Sequence, residues 1–570
     1  MLDLWFNFCM VANTQSNRTD EVESKEENQP REANSTRANG IKSMRIPKIP
    51  DNQQNPLIAE LLEIIHLQSE QIQALKDEIA ILKGQKPKPK ITPSNLGKSP
   101  QSGDNGEGDG GKRPGSEKKS KTADLVINET LIVKADNVPA GSRFKGFENF
   151  TVQSIVFKSH NILFRLERWE TPEGDEILAK VPDKDAVGHF GTPLICYILY
   201  QYYQAQVTQP LIFEQLKEIG VDISTGQVNR IITEGKDRFH AEKAEILRVG
   251  LKISSCVNVD DTSAPHKGKN GYCTHIGNEF FAWFESTESK SRLNFLKLLR
   301  CENTDYVLND EALNYMVALK LPRAMIELLS SLENKSFSSE AEWNTALQSF
   351  SFSDERHIRI ATEGALLGSV FEHGINPMLI ILSDDAGQFC LLLHALCWIH
   401  AERTIKKLVG FNDEQRKALE EIREQIWNYY SDLKAYKESP DDEKKIKLSA
   451  RFDEIFLAQT CYKTLNQALK RIYNNKAELL LVLDYPNIPL HNNLSEGDIR
   501  EYVKRRKISG STRSDLGRKC RDTFASLKKT CRKLAISFWD FLMDRISGKN
   551  TIPWLSEVMF QQMAETPNTS

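Results

Sequence analysis

A carboxylate close to the C-terminus, Glu496, is followed at once by a dense run of basic residues. Between Arg500 and Lys533 the sequence holds thirteen Lys or Arg and three acidic residues, a local net charge of +10. The whole chain has a formal net charge of −3, so this positive charge is concentrated in one segment. Such a concentration is typical of nucleic-acid binding. Because phosphate repels a carboxylate, Glu496 beside this run favours a metal ion that joins the carboxylate to phosphate.

The same segment has a purely structural interpretation. Asn493 followed three residues later by Glu496 fits a capping box, in which the Glu side chain only satisfies a backbone donor at the start of a helix. This segment alone leaves both interpretations open.

Two further carboxylates follow predicted strands. Residues 253–259 are typical of a strand that ends at Asp260-Asp261-Thr262, and the apolar run 377–382 predicts a strand buried on both faces that ends at Ser383-Asp384-Asp385, with a helix after it. Carboxylates at two strand ends and at a helix start can hold two divalent metals about 3.5–4 Å apart for phosphoryl displacement. Each aspartate could equally be a turn or capping residue. Asp310, after a short strand-like run, and Asp385 are alternatives to Asp384.

Four ordered motifs resemble those of TnpC-type transposases of the insertion-sequence-sixty-six group. They are Asp260-Asp261-Thr262, Ser383-Asp384, the segment 397–403 and the segment 492–496. The resemblance runs from the heptads described below to about residue 545. It implies a ribonuclease-H-like α/β core with a mixed sheet, a metal-binding catalytic triad of Asp260, Asp384 and Glu496, an N-terminal leucine zipper, and a C-x-x-H accessory motif.

Cys397 and His400 match that accessory motif. The sequence departs from the family pattern at Asp261, where a Glu is typical, and at His491, where an Asp is typical. Neither change removes an implied metal ligand. Many members also carry a cysteine zinc finger after the zipper, but no cysteine lies between Cys9 and Cys196. Recognition of DNA ends must therefore rest elsewhere.

Cys390, His394, Cys397 and His400 resemble a set of four metal ligands. We expect them on one helix, where ten residues span roughly 15 Å. Ligands strung over that length cannot surround one tetrahedral zinc ion, so the spacing argues against a zinc site.

Composition changes divide the chain into segments, since polar tracts, heptads, Lys/Gly/Ser/Pro-rich sequence and apolar periodicity follow one another. The predicted divisions are a disordered tail (1–55), a coiled coil (56–84), a flexible basic linker (85–123), a small β-rich module (124–185), a helical helix–turn–helix region (186–250), the catalytic domain (251–545) with insertions at about 302–374 and 405–483, and a C-terminal tail (546–570). In the β-rich module, residues 150–157 and 162–169 are the clearest strand candidates.

The coiled coil is predicted from apolar residues that repeat every seven positions. Ile at a with Leu at d favours a parallel two-stranded coiled coil, and one polar core residue can fix its register. The alternative is an amphipathic helix packed on its own domain. The a positions are Ile58, Ile65, Ile72 and Ile79, and the d positions are Leu61, Gln68, Leu75 and Leu82.

Residues 210–219 and a helix capped by Ser224 form a predicted helix–turn–helix, which can place its second helix in a major groove. Gln227, Asn229 and Arg230 are its candidate DNA contacts, although helical hairpins are also common in protein cores. Six basic residues after Glu496 are expected to position the DNA backbone: Arg500, Lys504, Arg505, Arg506, Lys507 and Arg513.

The composition is 40% apolar and 27% charged, and no apolar run is long enough to span a bilayer. The ten cysteines include no C-x-x-C pair, so a reducing, cytoplasmic and nucleoid-associated location is expected. The family resemblance and the three carboxylates lead us to expect a DNA transposase that uses two Mg²⁺ ions, for which Mn²⁺ can substitute, to cleave element ends and transfer the strand to target DNA. Its expected partners are DNA, a second copy through the coiled coil, and accessory transposition proteins. The alternatives are an inactive transposase-derived DNA-binding protein and a metal-dependent nuclease that does not join strands.

Overall fold

The computed structural model describes residues 126–565, apart from residues 135–138, 140, 146, 182–185, 188 and 351. The predicted tail, coiled coil and linker (1–123) lie outside the described residues. Residues 126–155 belong to a different compact unit from residues 156–565, and their described part has no helix or strand. Among the described residues, no helix is long and apolar enough to cross a membrane.

The strands of residues 156–565 are mostly short. They are β1 (Arg168–Glu170), β2 (Glu176–Leu178), β3 (Ala186–Val187), β4 (Phe190–Gly191), β5 (Cys256–Ser263), β6 (Tyr272–Gly277), β7 (Ala282–Thr287), β8 (Tyr306–Val307), β9 (Ser336–Phe337), β10 (Ile380–Ser383) and β11 (Leu393–Leu396).

Helices make up most of the remaining described chain. They are α1 (Thr192–Leu199), α2 (Gln209–Glu218), α3 (Thr225–Thr233), α4 (Asp237–Ile253), α5 (Arg292–Leu299), α6 (Asp310–Ala318), α7 (Arg323–Ser330), α8 (Glu340–Ser349), α9 (Glu355–Glu372), α10 (Trp398–Lys406), α11 (Asp413–Glu438), α12 (Asp442–Phe456), α13 (Lys463–Asn474), α14 (Lys476–Leu479), α15 (Asn493–Ser509), α16 (Asp515–Lys533), α17 (Phe538–Ser547) and α18 (Leu555–Glu565).

Five strands form one mixed sheet in the order β11-β10-β5-β6-β7. β5, β6 and β7 are antiparallel neighbours, whereas β10 runs parallel to both β5 and β11. This α/β architecture is consistent with the ribonuclease-H-like core that the resemblance implies. Because β5 and β10 are parallel, the ends that carry Asp260 and Asp384 meet at the same edge of the sheet.

The two faces of the sheet are buried in different cores. Val257, Val259 and Ile381 belong to a large core that includes α1–α9 and α16–α18. Ile380 and Leu382 point the other way, into a second core formed mainly by α10–α14. β10 is therefore buried on both faces, which explains its continuous apolar sequence.

The helix–turn–helix segment has the expected layout. α2 and α3 lie within one residue of the predicted bounds, Gly220 between them has φ +77°, and the Ser224 side chain accepts a hydrogen bond from the Gln227 N–H at 3.2 Å. Apolar residues of both helices, including Leu216 and Val228, belong to the large core. The segment is thus packed against the rest of residues 156–565.

Two local predictions are wrong. Residues 147–181 are described without a gap, yet the predicted strand at 150–157 is absent and only the short β1–β2 hairpin forms. The C-terminal tail predicted at 546–570 instead carries α18, whose Leu555 and Met559 are fully buried. Pairing with α4 explains this burial, because Glu242 accepts hydrogen bonds from both Arg545 and the Leu555 N–H.

The expectation of a single helix from Cys390 to His400 is also wrong. Cys390 follows a single 3₁₀ turn, His394 lies on β11, Cys397 precedes α10 and His400 is within α10. The helix predicted directly after Asp384 is replaced by that turn and by β11. A strand forms here because residues 393–396 complete the edge of the sheet beside β10.

Candidate active site

Asp260 lies near the end of β5, on the face of that strand that also carries Asn258. The pKa of Asp260 is raised to about 7, chiefly by burial and also by the negative charges of Asp384 and Glu496, while a hydrogen bond from the Asp261 N–H opposes the shift. Since the charges of both other carboxylates act on Asp260, the three predicted triad members share one electrostatic environment.

Asp384 follows β10 directly. Leu382 is paired with Asn258 in the parallel register, so two further residues along each strand bring Asp384 level with Asp260. One oxygen of Asp384 accepts a hydrogen bond from the Ala386 N–H at 3.2 Å, and the side chain remains partly exposed. Asp384 is therefore held at the sheet edge with its carboxylate accessible.

Glu496 lies in the first turn of α15 and faces α10. Arg403 donates to both Glu496 oxygens, at 3.0 and 3.5 Å, and His400 Nε2 lies 3.6 Å from Oε1. No side chain caps α15, whose N-cap residue is Asn492. The capping-box interpretation of Asn493 and Glu496 is therefore wrong, and the Glu496 carboxylate is directed toward other side chains.

A buried asparagine joins the elements that carry these carboxylates. Asn492 Nδ2 donates to the Val259 carbonyl at 2.8 Å, and its Oδ1 accepts from Asn258 Nδ2 at 2.8 Å. Its own N–H lies 3.2 Å from Cys397 Sγ. Asn492 thus connects β5, the start of α10 and the start of α15. In the sequence, Asn492 is part of the motif 492–496, but no role was predicted for its side chain.

His275, which the sequence did not identify, fixes α15 against β6. It is fully buried, is paired across the sheet with Asp260, and its Nδ1 lies 2.7 Å from Ser495 Oγ. Its Nε2 lies 3.3 Å from Asp498. Burial alone would raise the pKa of Asp498, but His275 and Lys533 lower it well below the usual range. Residues on both sides of Glu496 are therefore anchored to the sheet.

The two residues of the accessory motif, Cys397 and His400, lie beside Asn492 and Glu496. Cys397 is buried at the start of α10, and burial raises the pKa of its thiol. His400 lies one turn further along, where burial and the charge of Arg403 lower the pKa of the imidazole. Cys397 contacts Asn492 whereas His400 approaches Glu496, so the two residues support the same corner of the site.

The alternative carboxylates have other partners or other positions. Asp385 is paired with Arg471 at 2.5 Å and accepts from Asn475 at 3.1 Å. Asp310 begins α6 after β8, which pairs with β9 outside the five-stranded sheet. Asp261 accepts from Thr274 at 2.6 Å and from Gln388 at 2.9 Å on the opposite face of β5 from Asp260. Asp384, in contrast to Asp385, has no ion pair among the described residues, and unlike Asp310 it lies at the edge of the five-stranded sheet.

Three carboxylates are the donor type that Mg²⁺ prefers, and their mutual repulsion is what a cation would relieve. Nevertheless, no group of three or more His, Cys, Asp or Glu in residues 126–565 is arranged closely enough to hold a metal as it stands. In this arrangement Arg403 donates to both oxygens of Glu496. The residue types fit a metal, and a cation at Glu496 would compete with Arg403 for this carboxylate.

The basic run after Glu496 is only partly available to DNA. Lys528 and Lys529 are buried and paired with Glu501 at 2.5 and 2.8 Å, and Lys533 is paired with Asp498 at 2.9 Å. The local charge of +10 in the sequence therefore overstates the positive surface. The predicted DNA contacts that remain exposed are Arg500, Lys504, Lys507 and Arg513.

Arg505 and Arg506, also predicted to bind DNA, have partners within the protein. Arg505 lies over the Tyr202 ring, 4.0 Å from its centroid, and Arg506 donates to the Ser263 carbonyl at the end of β5. In the helix–turn–helix, Asn229 and Arg230 are exposed and Gln227 is half-buried. Asn229 accepts from Gln209 of α2 at 3.2 Å.

A groove of about 480 Å³ lies between α15, α16 and the segment 204–206, and exposed cations of α15 line it. It lies beside Gly497 and is lined by Arg500 and Lys504 of α15, Arg532 of α16 and the loop at Gln206. Gly497 follows Glu496 on α15, but none of the three proposed triad members lines the groove.

Comparison with known proteins assigns part of this chain to a family. Residues 387–519, which include the accessory motif and Glu496, match the family described as Transposase IS66 family. The chain is also 41% identical over 303 residues to the uncharacterized protein y4jO of Sinorhizobium fredii (strain NBRC 101917 / NGR234), which covers 53% of this chain and 94% of that protein. The chain therefore belongs to the IS66 family of transposases.

Proposed function

We propose that this protein is a DNA transposase that cuts the ends of a bacterial insertion sequence and transfers the freed strand to target DNA. The observation that carries the proposal is that Asp260 and Asp384 lie at the same edge of a mixed five-stranded sheet, to which Asn492 ties the start of the helix that carries Glu496. The strand order and directions support a ribonuclease-H-like core. Family membership supports the transposase activity.

In this proposal Asp260, Asp384 and Glu496 would hold divalent cations, Mg²⁺ by preference with Mn²⁺ able to substitute. When bound, these ions supply an activated water and stabilise charge at the phosphate. Asn492 and His275 keep β5 and α15 in fixed relation, so that the carboxylates of Asp260 and Glu496 stay on the same side of the sheet.

DNA would reach the site along the groove beside α15. Arg500, Lys504 and Arg532 are the exposed cations along it, and such contacts position a phosphate backbone without reading its sequence. Sequence reading is assigned to α3, whose exposed Asn229 and Arg230 lie on the second helix of the helix–turn–helix. Dimerisation through the heptads and any accessory proteins stay predictions, because the heptads lie outside the described residues.

The test is magnesium-dependent nicking of an oligonucleotide that carries the DNA end flanking the gene. Asp260→Asn, Asp384→Asn and Glu496→Gln should each abolish nicking, because each removes a charged ligand of the cations. DNA affinity should largely survive in all three, since it rests on other residues. The matched controls Asp385→Asn and Asp310→Asn should keep substantial activity.

An active Glu496→Gln protein would refute the triad. Nicking by the wild-type protein without transfer of the cut strand to a second DNA would instead favour a nuclease. A protein that binds the DNA end but never nicks it would favour an inactive relative.

A further inference from the structure

A second cleft lies beside the proposed active site. It has a volume of about 500 Å³, within the size range of ligand sites, and lies between α9, the β10–β11 connection and helices α13 and α14. Asp385, the neighbour of Asp384, lines the cleft, and so does Gln388, which donates to Asp261. The cleft therefore opens next to the sheet edge that carries the proposed triad.

Its rim is cationic. Among five basic lining residues, Arg471 is paired with Asp385, Arg292 donates to the Gly387 carbonyl, and Arg356 donates to a backbone carbonyl. Arg359 is exposed and has no ion pair with the described residues. Lys290 is exposed as well and lies over the Tyr272 ring at 5.3 Å. Arg359 and Lys290 are therefore available to an anionic ligand.

The floor of the cleft contains an unpaired acceptor. Ser383 Oγ donates to the Asp384 carbonyl at 2.6 Å, so His394 Nε2, 2.8 Å away, must donate its proton to Ser383 Oγ. That tautomer leaves Nδ1 of His394 as a bare acceptor, since burial lowers the pKa of this imidazole to about 3. His394 is 3% exposed, and Nδ1 has no hydrogen-bond partner within the described residues.

The floor also contains an unpaired carboxyl group. Glu478 of α14 is 6% exposed, and its Oε2 has no partner within the described part of the chain. Burial, with a smaller contribution from Asp385, raises the pKa of Glu478 to about 7. Near neutral pH this side chain can therefore present either a donor or an acceptor. Buried polar groups left unpaired are costly, so two of them in one cleft indicate a missing ligand.

We propose that this cleft binds an unpaired nucleotide of the DNA strand next to the cut site, with its phosphate at Lys290 and Arg359 and its base against His394 and Glu478. Phosphate suits the cationic rim, and a base edge offers both donors and acceptors to the floor. A free phosphate ion would satisfy the rim and leave the floor unpaired. A base inside a duplex cannot reach the floor, which is why the nucleotide must be unpaired. The inference rests on the proposed function, since it assumes that DNA is the substrate.

The test measures DNA binding by fluorescence anisotropy in EDTA, so that no cleavage occurs. Three labelled probes share one duplex sequence: a blunt duplex, the duplex with a three-nucleotide single-stranded overhang, and the same overhang with abasic positions. The wild-type protein should bind the normal overhang most tightly. Lys290→Ala/Arg359→Ala and Glu478→Leu should each weaken binding of that probe by roughly fivefold to tenfold, and leave blunt-duplex binding unchanged.

Arg323→Ala is the matched control, because it removes an exposed cation of α7 outside the cleft. It should leave all three affinities unchanged. If the normal and abasic overhangs bind equally well, no base enters the floor and the proposal is overturned. An equal loss for blunt and overhang probes, or no loss in the Lys290/Arg359 variant, overturns it as well.

The same measurement separates this proposal from the proposed function. Failure to bind even the blunt duplex would contradict the transposase proposal itself. Blunt binding without any preference for the overhang would contradict only the cleft. The Lys290 and Arg359 substitutions are at exposed positions, so they remain decisive if Glu478→Leu fails to fold.

Discussion

Arg403 holds the carboxylate of Glu496 with two hydrogen bonds, at 3.0 Å to Oε1 and 3.5 Å to Oε2. The pair is partly exposed, with side-chain exposures of 42% and 23%. In the proposed site, a cation bound at Glu496 would compete with Arg403 for the charge and the lone pairs of these oxygens. An Arg403 side chain displaced from Glu496 would be available to a phosphate.

Arg403→Gln should increase the affinity for Mn²⁺ in the absence of DNA. A partly exposed ion pair contributes up to about 1 kcal/mol, so release of Glu496 should tighten binding by about twofold to fivefold. Isothermal titration with Mn²⁺ measures this directly. Arg416→Gln, which breaks an exposed pair with Asp413 elsewhere, is the control and should bind as the wild type does. Unchanged affinity in Arg403→Gln would mean that Arg403 does not compete with the metal.

Asn492→Ala should impair cleavage more than its effect on stability explains. It leaves Asn258 Nδ2 and the Val259 carbonyl without their partner, which should lower the free energy of unfolding by about 2 kcal/mol. Tyr436→Phe is the comparison, because it also removes a buried hydrogen bond, to the Leu483 carbonyl, within the second core. Urea unfolding and nicking rates should be measured on both variants. Equal losses of activity would show that Asn492 only stabilises the fold.

Arg500→Ala/Lys504→Ala should weaken binding to all duplex sequences alike. Each lost phosphate contact reduces the slope of log affinity against log salt by about 0.9, so the double variant should flatten it by about 1.8. Lys417→Ala removes an exposed cation of α11 and should leave the slope unchanged. Affinity titrations at several salt concentrations check this. A loss confined to one sequence would mean that these residues read bases.

Glu501→Gln should destabilise the protein at neutral pH and lose that effect in acid. Glu501 is 17% exposed, and although burial opposes it, the charges of Lys528 and Lys529 lower the pKa of Glu501 to about 2 from 4.5. A lowered pKa contributes stability above the unfolded value, and the contribution is lost as the pH falls from about 4.5 to 2. The variant should lose about 3 kcal/mol at pH 7.

Urea unfolding between pH 7 and pH 2 measures the difference between wild type and variant, which should shrink as the pH falls. Glu443→Gln is the control, since its pair with Lys447 is exposed and should show little difference at any pH. A constant difference down to pH 2 would contradict the assigned pKa.

The strands beside two of the proposed triad members could be predicted better than most of their surroundings. Asp384 follows β10 and Asp260 lies within β5, and both strands exist within a few residues of the predicted bounds. β5 begins at Cys256 rather than at residue 253 because α4 extends to Ile253. β11 was missed because a mostly apolar run of four residues, Leu393–Leu396, cannot distinguish a strand from a buried helix.

The basic run shows a different limit. In the sequence, Lys528 and Lys529 of α16 add to the local positive charge. In the fold they are buried, because Glu501 of the neighbouring helix α15 pairs with both. Likewise, no local pattern indicated that Glu478 and His394 would lie in one cleft, since they are 84 positions apart in the chain. Such contacts depend on how distant segments pack, and the spacing of apolar residues within one segment does not predict them.

Contacts among α3, α4 and α16 hold the helix–turn–helix at a fixed distance from the five-stranded sheet. Cys520 of α16 contacts the carbonyl of Thr233 in α3, His240 of α4 lies 2.8 Å from Thr523, and Glu242 is tied to Arg545. α16 in turn packs on β7 of the sheet. The helix assigned to sequence reading and the carboxylates assigned to cutting cannot slide past each other. The distance in base pairs between the recognised sequence and the cut would then be a constant of the protein, not of the DNA.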